Sequence, residues 1–240
     1  MLPIERFISL LECQSKDSWQ KSIIKFGNDY GFEQTLIAVA PEHPTSLNDA
    51  FLRSNYSPHW LDKYNLEKFV AIDPTVSHCV MRSTPLIWEP AIFSGKKQRE
   101  MYEEASSHGL SSGITLPFHG PNGEVGTLCF ANDVNPNKRF YQDIYHHLPE
   151  LSMLRDFAFE VALRYANLSK YQPAPVLTHR EHECLKWCAA GKSSWEIAKI
   201  LSCSESVINF HFGNLRRKFY ATTRRQVVVK AIHSGLLRSH

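Results

Sequence analysis

A row of aromatic residues that leads to a single acid is the part of this sequence whose residue types can do chemistry. Tyr56, Trp60 and Tyr64 follow one another at steps of four. An apolar run then leads to Asp73, which Pro74 follows. The ring hydroxyls and the indole N–H donate hydrogen bonds, whereas an ionised carboxylate only accepts them. Aromatic residues at this spacing more often belong to a core, and an acid before proline more often forms a turn. Spacing alone therefore leaves the role of Asp73 open.

Composition indicates one large or two ordinary domains. The chain has 240 residues, 43% of them hydrophobic and 12% aromatic, which is enough for real cores. Apolar runs such as 35–40 are far shorter than the roughly 18 residues that a membrane span requires, and the N-terminus lacks the features of a signal peptide. Cys184 and Cys188 lie one helical turn apart, but no second pair of zinc ligands follows at suitable spacing. We expect a cytoplasmic protein with no membrane partner.

Charge divides the chain into two parts. Residues 1–173 contain 16 basic and 20 acidic side chains, whereas residues 174–240 contain 11 basic and 4 acidic ones. A segment of net charge +7 attracts a polyanion, while a part of net charge −4 does not. Pro173 and Pro175 favour an extended linker between the two parts. We place the first domain at 1–166, the linker at 167–175 and the second domain at 176–240.

The second domain is predicted to contain four helices. A Thr-x-x-Glu pair at 178–181 and a Ser-x-x-Glu pair at 193–196 are capping boxes, which start the first two helices. The stretch "ESVINFHFGNLRRKFY" (205–220) predicts a third, longer helix, and "TTRRQVVVKAIHSGLL" (222–237) a fourth. For the third helix we predict an inward row formed by Val207, His211, Leu215 and Phe219.

A short helix, a tight turn and a longer helix with a basic end are typical of a helix-turn-helix, whose second helix enters the DNA major groove. Small polar side chains then face the base edges, and basic side chains hold the phosphates. A surface helix with a solvated basic end is the alternative. The expected DNA-binding residues are Ser193, Ser206, Asn209, Gly213, Asn214, Arg216, Arg217 and Lys218.

Both domains resemble one known family. The segment "LTHREHECLKWCAAGKSSWEIAKILSCSESVINFHFGNLRRKF" (177–219) resembles the DNA-binding domain of the LuxR family. "DPTVSHC" (73–79), "WEP" (88–90), "EEAS" (103–106) and "GEVGTLCF" (123–130) are similar, in order, to segments of the acyl-homoserine-lactone receptors of that family. The resemblance implies a quorum-sensing transcription regulator that pairs through its last helix. As a homodimer it is expected to bind an inverted-repeat site on double-stranded DNA and to activate transcription with RNA polymerase as a partner.

The first domain reads as α/β. One amphipathic helix is marked by Ile4, Phe7, Ile8 and Leu11, and another by Trp19, Ile23, Phe26 and Tyr30. Strands are predicted at 35–40 and 51–56, a hairpin at 113–132, and a helix from about 140 to 166. The resemblance implies a five-stranded antiparallel sheet with the ligand between the sheet and one helical layer. The expected fold class is an α/β ligand-binding domain, an α-β-α sandwich around an antiparallel sheet, plus an all-α helix-turn-helix DNA-binding domain.

By this resemblance, the aromatic row and the acid bind an N-acyl-homoserine lactone of medium to long chain. Such a ligand has one amide N–H, two carbonyl oxygens and an apolar tail, so its receptor needs one acceptor, a few donors and an apolar tunnel. Asp73 is the expected acceptor for the amide, while Trp60 donates to the lactone carbonyl and Tyr56 to the amide carbonyl. The other expected site residues are Trp88 on the lactone ring, Tyr64 along the acyl path, Thr75 beside the head group, Leu110, Thr115, Cys129 and Leu61.

Two positions depart from the pattern of these receptors. Leu61 stands where the pattern has an arginine next to the lactone tryptophan, and Cys129 stands where it has a serine facing the amide carbonyl. Leucine cannot donate a hydrogen bond to a 3-oxo group, and a thiol is a weaker donor than a hydroxyl. We therefore expect no preference for a 3-oxo chain. Neither change touches the residues that read the lactone head.

Two alternatives stay open. A lactonase or acylase would need a metal cluster or an activated nucleophile. However, His108, His146 and His147 lack an HxHxDH-type pattern, and no basic partner of Cys129 can be identified. The second alternative keeps the regulator but replaces the lactone with a different small-molecule signal. We expect no enzyme activity, no metal and no cofactor.

Overall fold

The chain forms two compact units in a computed structural model that describes residues 4–41, 44–121, 123–168 and 175–237. The units are Met1–Lys170 and Tyr171–His240, and each has a hydrophobic core of its own. Most of the linker predicted at 167–175 lies outside the described residues.

A five-stranded antiparallel sheet is the centre of the first unit. Its strands are β1 (Gln34–Ala40), β2 (Phe51–Ser54), β3 (Leu86–Ile87), β4 (Ser112–His119) and β5 (Val125–Asn132). They are paired in the order β2-β1-β5-β4-β3. β4 and β5 form the predicted hairpin, and their register pairs Ser112 with Asn132 at one end and His119 with Val125 at the other.

Helices cover both faces of this sheet. The first layer consists of α1 (Ile4–Leu11), α2 (Lys16–Asp29) and α6 (Lys138–Tyr165). The second consists of α3 (Pro58–Leu66), α4 (Pro74–Met81) and α5 (Lys96–Ser107). Side chains of a strand alternate between the two faces: Leu128 and Phe130 of β5 belong to the first core, and Cys129 and Ala131 to the second. The predicted α-β-α sandwich is confirmed.

The predicted inward face of α1 is wrong in part. Phe7 and Leu10 are the buried residues of this helix, while Ile4 and Ile8 are 49% and 39% exposed. A helix of two turns has only a narrow buried stripe, and the pair three residues apart occupies it. Tertiary packing therefore selected one of two possible stripes.

The second unit is entirely helical in the part that the structure describes. Its helices are α7 (His179–Ala189), α8 (Ser194–Ile200), α9 (Glu205–Lys218) and α10 (Arg224–His233). Both predicted capping boxes are present, Thr178 with Glu181 at α7 and Ser193 with Glu196 at α8. Gly191, in the turn between these two helices, has a φ of +82°, which glycine adopts without strain.

The predicted inward row of α9 is also wrong in part. Its buried residues are Ile208, Phe212 and Leu215, followed by Phe219 just beyond the helix. Val207 is 41% exposed. Positions that always advance by four residues drift around a helix with 3.6 residues per turn, whereas steps of four, three and four stay on one side. The true row therefore starts one residue later than predicted.

Candidate functional site

A cavity of about 140 Å³ lies between the sheet and the layer of α3, α4 and α5. One water requires only ~10–15 Å³ of such space, so the cavity has room for a small molecule. Nine of the ten predicted ligand-binding residues line it: Tyr56, Trp60, Leu61, Tyr64, Asp73, Thr75, Trp88, Leu110 and Cys129. The tenth, Thr115, is buried behind the wall, where its Oγ1 accepts a hydrogen bond of 2.7 Å from the Trp88 indole.

Asp73 is held by the start of α4. It is the N-cap residue, and Pro74 at the first helical position has a φ suited to the helix. Its Oδ1 accepts hydrogen bonds of 2.7 Å from both the backbone N–H and the hydroxyl of Thr75. Its Oδ2 accepts one of 2.8 Å from the Tyr64 hydroxyl. Because an oxygen of a carboxylate has two lone pairs, Oδ2 can accept a further hydrogen bond from a ligand.

Burial determines the protonation behaviour of this acid. It raises the pKa of the Asp73 carboxyl above its usual value, and the hydrogen bonds from Thr75 and Tyr64 offset this only in part. The same burial raises the pKa of the Tyr64 hydroxyl, with the neighbouring Asp73 charge acting in the same direction. Tyr64 therefore remains a donor, and Asp73 is the acceptor of the pair.

Tyr56 and Trp60 add donors next to this acceptor. Trp60 packs edge-on against Tyr64 with 5.6 Å between ring centroids. The Tyr56 hydroxyl is buried and has no hydrogen-bond partner among the described residues. A buried hydroxyl without a partner costs ~1–3 kcal/mol, so this group is a strong candidate for a ligand contact.

Cys129 and Leu61 lie at the cavity wall. The Cys129 thiol is 3.3 Å from the Thr115 hydroxyl and 3.1 Å from the Thr127 hydroxyl. Burial raises the pKa of this thiol to about 11, so it remains protonated and a poor nucleophile. Leu61 presents only carbon atoms to the cavity.

The cavity continues along β1 and β5. Its lining includes Leu36 and Cys129, which are paired across the two strands, and also Ala40 and Val125, which are paired four residues further along. Four residues of a strand span ~13 Å. Sequence reasoning missed several lining residues, including Phe93, Met101, Tyr102 and Ala105. The spacing of the last three on α5 was a usable helical signal, whereas Phe93 lies just before this helix and stacks on Tyr102.

The predicted DNA-binding residues divide into exposed and internally bonded side chains. Ser206, Arg216 and Arg217 are exposed on α9. Asn209 is exposed too, but its Oδ1 accepts hydrogen bonds from Ser194 and Arg224. Gly213 faces open space, with nothing within 4 Å of an added side-chain carbon. Asn214 is half-buried, and its Oδ1 accepts from Arg217.

Ser193 and Lys218 also have contacts within the unit. Ser193 caps α8. The Lys218 ammonium group donates a hydrogen bond of 2.6 Å to the Glu181 carboxylate and one of 2.8 Å to the Val176 carbonyl oxygen. Burial disfavours the charged form of Glu181 and so raises its pKa. The hydrogen bonds that Glu181 accepts from Lys218 and Thr178 have a larger effect, and the pKa of Glu181 is lowered. Through this ion pair Lys218 links α9 to α7, and its contact with DNA stays a prediction.

Comparison with known proteins shows the family. Residues 15–162 match the autoinducer binding domain, and residues 175–231 match the bacterial regulatory proteins of the luxR family. The chain is 31% identical over 230 residues to the transcriptional activator protein VanR of Vibrio anguillarum, covering 94% of this chain and 93% of VanR. It is 30% identical over 229 residues to the transcriptional activator protein LuxR of Aliivibrio fischeri, covering 94% and 90%.

Solved structures agree with this assignment. SdiA of Escherichia coli has a TM-score of 0.67 at 27% identity, over 95% of this chain and 94% of that chain. SdiA in complex with octanoyl-rac-glycerol has the same TM-score at 26% identity, over 98% and 94%. The fold and the site define a ligand-sensing transcription regulator. The chain belongs to the LuxR family, a family of quorum-sensing regulators with an autoinducer-binding domain and a DNA-binding domain, and it is not an enzyme.

No group of three or more His, Cys, Asp or Glu side chains among the described residues is arranged to hold a metal ion, and this includes the neighbourhood of Cys184 and Cys188. Among the helices in the described ranges, none is both long and apolar enough to cross a membrane.

Proposed function

We propose that the protein binds an N-acyl-homoserine lactone of medium to long chain and, as a homodimer, an inverted-repeat DNA site from which it activates transcription with RNA polymerase. One observation carries the ligand proposal. Asp73, Tyr56 and Trp60 all line one cavity, which is otherwise mainly apolar. Asp73 can accept a further hydrogen bond, and the Tyr56 hydroxyl has no hydrogen-bond partner among the residues that the structure describes.

The polar groups match the head of such a ligand. The amide N–H of the lactone donates to Asp73 Oδ2, a hydrogen bond to a charged group that is worth ~1.5–3 kcal/mol. The Tyr56 hydroxyl donates to the amide carbonyl, and the Trp60 indole donates to the lactone carbonyl. Trp88, whose own N–H is used by Thr115, offers its ring face to the lactone.

The apolar extension matches the tail. From the Leu36 and Cys129 pair to the Ala40 and Val125 pair the cavity follows the strands for ~13 Å. An extended acyl chain of medium to long length fits this path, whereas a very short one leaves apolar wall uncovered. Leu61 and Cys129 supply no strong donor near the start of the tail, which supports the proposal that an unsubstituted chain binds at least as well as a 3-oxo chain.

Mass spectrometry of ligand extracted from the purified full chain tests this proposal. The protein is produced in cells supplied with an equimolar mixture of unsubstituted and 3-oxo N-acyl-homoserine lactones, and we expect a medium or long lactone at stoichiometric amount.

The second candidate is a different acylated signal, which the complex of the similar SdiA with octanoyl-rac-glycerol favours. Recovery of a monoacylglycerol, with all lactones left behind, would replace the first proposal with the second.

The DNA proposal rests on the exposed arginines of α9 and on the similarity of the chain to the transcriptional activators VanR and LuxR. A two-fold dimer presents two recognition helices about one DNA turn apart or a multiple of it, which requires an inverted repeat. If Arg217 contacts a phosphate, Arg217→Ala weakens binding nearly equally on all sequences and makes the salt dependence shallower. Lys186→Ala, at an exposed position of α7, is the matched control. Unchanged affinity of Arg217→Ala at several salt concentrations would remove Arg217 from the interface.

A further inference from the structure

The exposed face of α9 contains a large aromatic residue that the core does not use. Phe210 is 63% exposed, and its only ring contact in the described part of the chain is with the adjacent His211. At ~100° per residue it lies on the side of the helix opposite the buried row of Ile208, Phe212 and Leu215. An exposed apolar side chain is common in itself, so the position of Phe210 matters more than its exposure.

Phe210 lies in the middle of the face that we propose for DNA. Ser206 is four residues before it, Gly213 and Asn214 are three and four residues after it, and Arg217 is seven after it, all on the same side of the helix. Ser206 has a short side chain and Gly213 has none, and the space beside Gly213 is open. The phenyl ring therefore projects further than its neighbours on this face.

The chemistry of the ring limits what it can read. A phenyl group neither donates nor accepts conventional hydrogen bonds, so it cannot recognise the polar edge of a base. The one apolar group on the edges of unmodified bases in the major groove is the C5 methyl of thymine. The surrounding segment 174–240 carries 11 basic and 4 acidic residues, which favours a polyanion over an apolar protein surface as the partner.

We propose that Phe210 recognises a thymine methyl group in each half of the DNA site and so contributes to its sequence specificity. This inference rests on the proposed function of α9 as the helix that enters the major groove. It adds an apolar contact to a face for which the sequence predicted only polar and basic contacts.

The test removes single methyl groups from DNA. A binding site is first selected from random DNA with the full chain carrying N-decanoyl homoserine lactone, and each thymine of that site is then replaced by deoxyuridine. At one symmetric pair of positions we expect about fourfold weaker binding per replaced methyl, and about fifteenfold for the pair, which corresponds to exposing one buried methyl group per half-site.

Variants assign the effect to the ring. In Phe210→Ala the penalty for deoxyuridine at these positions disappears, and in Phe210→Leu, which keeps part of the apolar surface, it is reduced. Tyr220→Ala is the matched control, because Tyr220 is 82% exposed just beyond α9 and its loss leaves the penalty unchanged. Equal melting temperatures of the variants and the unmodified protein show that the fold is intact, and Phe210→Leu decides the outcome if Phe210→Ala does not fold.

Two results would overturn the inference alone. One is a selected site at which the unmodified protein tolerates deoxyuridine at every thymine, and the other is a penalty that persists in both Phe210 variants. If no DNA sequence is selected at all, the proposed DNA-binding function itself fails. The two failures are therefore distinguishable.

Discussion

Replacing Tyr56 or Tyr64 by phenylalanine changes stability in opposite directions before any ligand is added. Both rings are buried at the same cavity, and each substitution removes one hydroxyl group. The Tyr64 hydroxyl donates a hydrogen bond of 2.8 Å to Asp73, whereas the Tyr56 hydroxyl has no hydrogen-bond partner among the described residues. The pair therefore isolates the effect of hydrogen bonding from the effect of burial.

The structure gives the sign and size of each change. Tyr64→Phe removes a hydrogen bond to a charged acceptor, which destabilises the ligand-free protein by ~1.5–3 kcal/mol. Tyr56→Phe removes a buried hydroxyl that has no partner in the described part of the chain, so the ligand-free protein becomes more stable by up to ~1–3 kcal/mol. With the lactone bound, Tyr56→Phe loses a hydrogen bond worth ~0.5–1.5 kcal/mol. This loss adds to the gain in stability of the ligand-free protein, so the affinity falls by about tenfold or more.

Urea unfolding of the full chain, followed by tryptophan fluorescence, measures both effects. The transition that shifts when N-decanoyl homoserine lactone is added identifies the ligand-binding unit, since a ligand stabilises the state that binds it. Soluble yield from cells without lactone gives the same ordering independently, with Tyr56→Phe above the unmodified protein and Tyr64→Phe below it. If Tyr56→Phe destabilises the ligand-free protein as much as Tyr64→Phe does, the assignment of the free hydroxyl is wrong.

Three further predictions follow from contacts in the two units. Leu61→Arg moves the preference in a reporter assay toward 3-oxo lactones, because an unpaired carbonyl costs ~1–3 kcal/mol to bury; a strong 3-oxo preference in the unmodified protein that Leu61→Arg leaves unaltered would contradict this. Lys218→Met lowers the free energy of unfolding of the DNA-binding unit by ~2–3 kcal/mol, because it leaves Glu181, whose side chain is 2% exposed, without its cation; a loss no larger than that of Lys186→Met would refute it. Because the pKa of Asp73 is raised in the folded protein, the protonated acid contributes stability that is fully present below about pH 3.9, the pKa of an unfolded aspartate. This stability is lost as the pH rises through the pKa of Asp73 in the folded protein. From pH 3 upward, the free energy of unfolding of the unmodified protein should therefore fall relative to that of Asp73→Asn. Parallel curves of the two proteins against pH would contradict this.

The sequence by itself determined the elements whose causes are local. Capping boxes at Thr178 and Ser193 start α7 and α8 as predicted, because a cap depends on residues three apart. The hairpin at 113–132 follows from turn residues between two β-forming runs. The candidate site residues came from the resemblance to the LuxR family, since the spacing of Tyr56, Trp60 and Tyr64 did not separate a ligand site from a core.

Only the tertiary structure decided which faces are buried and which polar groups are already paired. It placed Ile8 and Val207 outside the cores, since several helical stripes are possible and packing selects one. It pairs Lys218 with Glu181, which is 37 residues away in the chain. It also places Thr115 outside the cavity lining, where its hydroxyl accepts a hydrogen bond from Trp88. Only the tertiary structure shows that the buried Tyr56 hydroxyl has no hydrogen-bond partner among the described residues and that the Phe210 ring lies outside the core. Whether a group has a partner depends on residues that are distant in the chain, and local sequence does not contain that information.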